Sequence, residues 1–168
     1  MGRRENQIRP AERSSAPEYW RYARHLDSLA AVSGGAVEAE AAEAEAVAAV
    51  LRDPDPVMAE SAVVTHLDRR AAQLLADGAF PAWAHAMGAA LGGRTFAARR
   101  LREWILLRSI ARGEPWAVAD LTAASDWCQR TAAQSLASDE ALSLLAAAAR
   151  SHSVRNTAAR RLLRRAAV

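Results

Sequence analysis

The chain has 168 residues, 43 of them alanine; all 22 basic residues are arginine and lysine is absent. That composition excludes a P-loop lysine, a Schiff-base lysine and a lysine general base, and the single cysteine, Cys128, excludes an internal disulfide and a thiolate-cluster metal site. Net charge is only +3 and Leu, Ile, Val and Phe together supply 32 residues, so alanine fills the interior and the chain is expected to be all-α and, with one cysteine, to work in a reducing cytoplasm.

Residues 1–14 show no apolar periodicity and are read as a flexible basic arm, with no apolar stretch of the kind a secretory signal needs. Residues 15–35 hold the first helix. Ser15 and Glu18 form a capping box with Pro17 in the first turn, and Ser33-Gly34-Gly35 ends it. Tyr19, Tyr22, Ala23, Leu26, Leu29 and Ala30 share one arc of this amphipathic helix, with Arg21, Arg24, His25 and Ser28 opposite. Trp20 lies off the apolar arc and is either covered by the arm or an anchor for a partner.

Residues 36–168 settle into helices joined by tight turns. The expected elements are 41–51, 56–76, 80–91, 94–112, 116–124, 127–138, 139–150 and 154–167, which make four helix pairs. Pro56 suits the first position of its helix, and Gly92-Gly93, Glu114-Pro115 and Ser125-Asp126 are breaks. Leu101, Trp104, Ile105, Leu106, Leu107 and Ile110 surround most of their helix, which predicts a central, buried element. The most apolar stretch, Ala141–Ala149, is nine residues long and too short to cross a bilayer, so no membrane partner is expected.

Charge alternates in blocks. Residues 1–24 carry six Arg and three Glu, residues 38–60 carry seven acids and one Arg, and residues 94–112 and 150–168 carry six Arg each against one acid and none. In the last helix, Ala158, Ala159, Leu162, Leu163 and Ala166 share an arc, and Arg160, Arg161, Arg164 and Arg165 fill the rest. Such a strip is either a solvated face favoured by the helix macrodipole or a grip for an acidic protein or phosphates.

The last helix pairs are internally similar. Cys128, Ala132, Ala133 and Leu136 have the spacing of Val154, Ala158, Ala159 and Leu162, and Ala97, Ala98 and Leu101 repeat the Ala-Ala-x-x-Leu part. The stretch SDWCQRTAAQSLASDEALSLLAAAARSHSVRNTAARRL (125–162) resembles HEAT-like repeats of the short bacterial type, and LRDPDPVMAESAVV (51–64) resembles another turn and second helix of that kind. The resemblance covers 114–165 well and the chain before it weakly. It implies a right-handed α-solenoid of about four HEAT-like helix pairs preceded by the N-terminal helix. The function it implies is non-catalytic: a scaffold that binds a protein partner through its concave or arginine-bearing faces. The candidate contacts are Arg160, Arg161, Arg164 and Arg165, with Trp20 and Trp83; self-association stays open.

Nucleic-acid binding is the alternative. ADLTAASDWCQRTAAQSL (119–136) also resembles a helix-turn-helix, RLREWILLRSIARGEPW (100–116) suits the leading helix of a winged-helix domain, and Arg130 and Arg155 would be the contacts. Against it stand Asp126 where a glycine is usual, no signal for a β-wing, and recurrence of the pattern at 145–162. HEAT-like alkylpurine DNA glycosylases are a further resemblance: ASDWCQRTAA (124–133) looks like the stretch carrying their arginine, at Arg130, but their Trp-Trp-Asp stretch has no counterpart. Catalytic patterns are otherwise thin. His25, His66, His85 and His152 are scattered without metal-ligand spacing, no glycine-rich phosphate loop or G-x-S-x-G occurs, and Cys128 sits at a packing position. No catalytic residue, metal or cofactor is expected.

Overall fold

The structure, a computed structural model, describes residues 18–33 and 37–167. The arm, the Ser15 cap and the Gly34-Gly35 stop lie outside the described residues. Those described form nine helices and no strand: α1 (Glu18–Ala31), α2 (Val37–Val50), α3 (Pro56–Leu74), α4 (Phe80–Leu91), α5 (Thr95–Arg112), α6 (Val118–Ala123), α7 (Asp126–Ser135), α8 (Asp139–Ala148) and α9 (His152–Ala166).

Short polar side chains start several of these helices. Asp55 caps α3 by accepting from the Val57 and Met58 amides, with Pro56 at the first helical position. Ser125 caps α7 through the Cys128 amide, and Ser138 caps α8 through the Ala141 amide. Gly113 ends α5 at φ 67°, a left-handed conformation that a side chain would strain. Two elements depart by three residues from their expected length: α2 is 14 residues long where 11 were expected, and α6 six where nine were expected.

Alternate helices touch. α1 packs on α3, α3 on α5, α5 on α7 and α7 on α9, while α2 packs on α4 and α6 on α8. The α4–α6 pair makes at most marginal contact. Small residues mark the close approaches: Ala97, Ala132 and Ala158, the first alanines of the repeated Ala-Ala-x-x-Leu motif, are all buried. Larger groups, among them Trp83, Phe80, Met87, Leu67 and Leu142, fill the spaces between.

Carboxylates stitch these contacts together. Glu43 of α2, with no exposed surface, accepts from Nε2 of His66 at 2.7 Å and Nε1 of Trp83 at 2.9 Å, with Nε of Arg70 at 3.4 Å. Asp68 of α3 holds Arg100 and Nε1 of Trp104, each at 2.7 Å, and Glu60 accepts from the Ala97 amide at the start of α5. Glu103 of α5 accepts from the Ser125 amide at 2.8 Å. In α1 the contact face is turned from the one the apolar arc predicts. Arg21 and His25 both reach Asp53 in the α2–α3 turn, and Tyr19 is left exposed.

Burial pushes the Glu43 carboxyl up, but the hydrogen bonds from His66 and Trp83, with the charges of His66 and Arg70, outweigh it and hold it below the ordinary glutamate value. A carboxyl that titrates lower in the folded than in the unfolded chain stabilises the fold fully above its unfolded pKa. That contribution disappears as pH falls through its folded value. Glu43→Ala strands His66, Trp83 and Arg70 and is expected to cost about 3–5 kcal/mol in urea denaturation at pH 7. The difference between variant and wild type should hold above about pH 5 and shrink below it.

Candidate functional site

The C-terminal arginines divide by what they touch. Arg161 donates to the Ala133 carbonyl in the last turn of α7 at 2.9 Å, and Arg155 donates to the Ala149 carbonyl that ends α8. These are two of the carbonyls a helix end leaves without an internal partner. Arg165 pairs with Asp139 at 2.6 Å, so the strip has a counter-acid, brought from α8. Only Arg160 and Arg164 remain exposed without an ion pair among the described residues. Leu163, expected on the buried arc, is 71% exposed, and Leu162 is half-buried. The apolar face of α9 is therefore narrower than the helical wheel implies, because only one side of the last helix has a neighbour to cover it.

The remaining candidates separate as well. Trp83 is fully buried, with its N–H committed to Glu43, and its place as a surface contact is corrected to a core residue. Trp20 is 61% exposed and stands edge-on to Tyr19 at 6.1 Å. Arg130 is exposed on α7 with no ion pair among the described residues. Trp127 beside it is covered by the Arg100 guanidinium, 3.6 Å above the ring. The Cys128 thiol is buried, and desolvation pushes it up to about 12, with Glu103 adding to the rise, so it stays a neutral packing group at pH 7. Among the described residues no group of three His, Cys, Asp or Glu side chains could hold a metal ion, and no helix is long and apolar enough to cross a membrane.

A surface that the sequence pattern does not reveal lies over α5. Two adjoining depressions, of about 400 and 410 Å³, share Ile105 and Ser109. The first runs between α5 and α6, walled by Pro115 and Trp116; the second runs between α5 and α4, walled by Phe80 and His85. Together they form a groove where the α4–α6 contact fails. Its floor is a stripe of α5 at positions 99, 102, 105, 106 and 109, the spacing of one helix face. Ile105, expected in the core, is 43% exposed here. The signal was the all-round apolar character of residues 101–110, which fits a helix meant to be covered on every side.

Two cations mark one end of the groove. Arg99 and Arg102 are exposed and have no ion pair among the described residues; Arg99 lies 5.5 Å from the Phe96 ring. Asp120 stands on the α6 side, while Glu103 faces Arg100 at 3.8 Å and Arg108 is held by Glu114 at 3.1 Å. The groove is thus mostly apolar with a basic end.

Comparison with protein-family models, with curated proteins and with solved structures finds no match.

The two kinds of arginine should behave differently on substitution. Arg161→Ala and Arg155→Ala each remove a charged hydrogen bond to a helix-end carbonyl and are expected to cost about 1–2 kcal/mol. Arg160→Ser and Arg164→Ser should stay within about 0.5 kcal/mol of wild type. Thermal melts of the four single variants at one pH and salt concentration check this.

Proposed function

We propose that this chain is a non-catalytic protein-binding module: a right-handed α-solenoid of HEAT-like helix pairs whose partner lies in the groove over α5. The observation that carries the reading is the uncovered stripe of α5, where apolar side chains and two unpaired arginines are open between α4 and α6. The α1–α3–α5–α7–α9 and α2–α4, α6–α8 contacts support the solenoid, since each pair there leaves an apolar face for the next to cover. An uncovered apolar patch of this sort marks a surface that another chain buries. Arg160 and Arg164, with Leu163 between them, on α9 and exposed Trp20 on α1 are secondary contacts.

Nucleic-acid binding is a second reading, favoured by one observation: exposed Arg130 on α7 and Arg160 and Arg164 on the adjacent α9 lack ion pairs among the described residues. It loses Arg155, which the α8 carbonyl holds.

The test compares wild type with Ile105→Arg as affinity baits, after melting curves show both to be folded. One protein retained by wild type at moderate salt and lost by the variant supports the groove. Retention by both baits places the contact elsewhere, and loss on Arg160→Ser with Arg164→Ser would place it on α9. Binding to arbitrary duplex DNA that falls steeply with salt would favour the second reading.

A further inference from the structure

The chemistry of the groove narrows what can fill it, and this step rests on the reading of the groove as the partner surface. The stripe from Arg99 to Ser109 is about 15 Å long at the α-helical rise, enough for roughly three turns of a helix lying along it. Its walls are helices with a gap between them, the setting in which an amphipathic helix lays its apolar face into a groove. The central stretch is apolar, with Ile105 and Leu106 below and Trp116 and Pro115 at the side. The end towards the start of α5 carries Arg99 and Arg102, one turn apart, and neither has a carboxylate partner among the described residues. Asp120, on the opposite side, and Glu103, which faces Arg100, also line this depression, and at the other end Arg108 and Arg112 share Glu114. The groove therefore differs along its axis: guanidinium groups without an ion pair among the described residues at one end, apolar side chains in the middle, and guanidinium groups held by Glu114 at the other.

We infer that the groove over α5 takes an amphipathic helix of a partner protein that carries acidic side chains at one end of its apolar face. Those carboxylates meet Arg99 and Arg102, and the apolar face covers Ile105, Leu106 and Trp116. Carboxylates suit this end because a guanidinium presents a flat fork of donors that matches two carboxylate oxygens. The apolar stretch supplies affinity, and the arginines set the direction in which the helix lies and exclude helices of the opposite charge.

Two synthetic peptides test this. Both are 14-residue, hydrocarbon-stapled helices with leucine at one position and again three, four and seven residues on. They differ only in carrying three Glu or three Lys at one end, and circular dichroism confirms equal helicity. Fluorescence anisotropy at low salt should show the acidic peptide binding about tenfold more tightly than the basic one, a preference that shrinks as salt is added. The Arg99→Glu/Arg102→Glu variant should reverse the preference, and Ile105→Arg should abolish both complexes. Ile105→Ser is the milder version should Ile105→Arg fail to fold.

Equal binding of the two peptides, or a preference that the double charge reversal leaves unchanged, overturns the acidic-helix inference. If Ile105→Arg still abolishes binding in that case, the groove itself stands. Failure of both peptides on wild type overturns the inference, and the affinity-bait experiment then decides the groove separately. Binding that Ile105→Arg leaves intact overturns both. Retention of duplex DNA that the double charge reversal removes, with no peptide bound, assigns the two arginines to nucleic acid instead.

Discussion

A carboxylate without access to water holds the first half of this molecule in register. Glu43 belongs to α2, yet its Oε1 accepts from His66 of α3 and Trp83 of α4, and its Oε2 faces the charge of Arg70 of α3. A buried charge is tolerated only where donors surround it, so the three helices have one relative placement that satisfies it and many that do not. Alanine cannot supply that discrimination. A helix such as α2, with alanine on every side, can slide or turn against its neighbours at little cost in buried area. Directional polar contacts then decide which of the near-equivalent packings is native. Asp53, Asp68 and Glu103 repeat the device from helix to helix.

Arginine completes it at the other ends of the helices. Guanidinium groups reach carbonyls at or near helix C-termini: Arg94 to Leu51 at the end of α2, Arg150 to Ala124 at the end of α6, Arg155 to Ala149 at the end of α8 and Arg161 to Ala133 in α7. Those carbonyls have no partner inside their own helix, and a cation there also meets the negative end of the helix dipole. Four of the seven acids in 38–60 are used in the same way, since Glu43, Asp53, Asp55 and Glu60 accept hydrogen bonds inside the fold. Blocks of charge in the sequence are therefore a poor guide to charge available for a partner. What matters is the charge left over after these internal contacts.

The helices and their order were legible because their boundaries are written in local chemistry. Asp55-Pro56, Gly92-Gly93 and Ser125-Asp126 punctuate the chain through caps and breaks that need no tertiary information. The faces were less legible. Arg21 and His25 looked like solvent-facing residues of α1 because a helical wheel cannot show Asp53 arriving from another turn. Leu163 looked buried because the wheel assumes a neighbour on each apolar side, and the last helix has one on a single side only. Trp83 was placed on the surface for the opposite reason: nothing in the sequence near it announces that Glu43, 40 residues earlier, will accept its N–H. The all-round apolar character of residues 101–110 was the one trace of the groove, whose place depends on which helices fail to meet.

That failure traces to three residues. Pro115 lacks an amide hydrogen and disfavours helical backbone at Glu114, and Ala117 is extended at φ −98° and ψ 134°, so α6 begins only at Val118. Six residues give a helix about 9 Å long, against about 18 Å for the 12 residues of α4. A helix that short still packs on α7 and α8, but its contact with α4 and α5 is at most marginal, which leaves the α5 stripe between them open. Trp116, displaced from the helix it would have opened, becomes a wall of the space instead of part of its filling. The opening over α5 is thus built by the linker at 113–117 more than by the helices that line it.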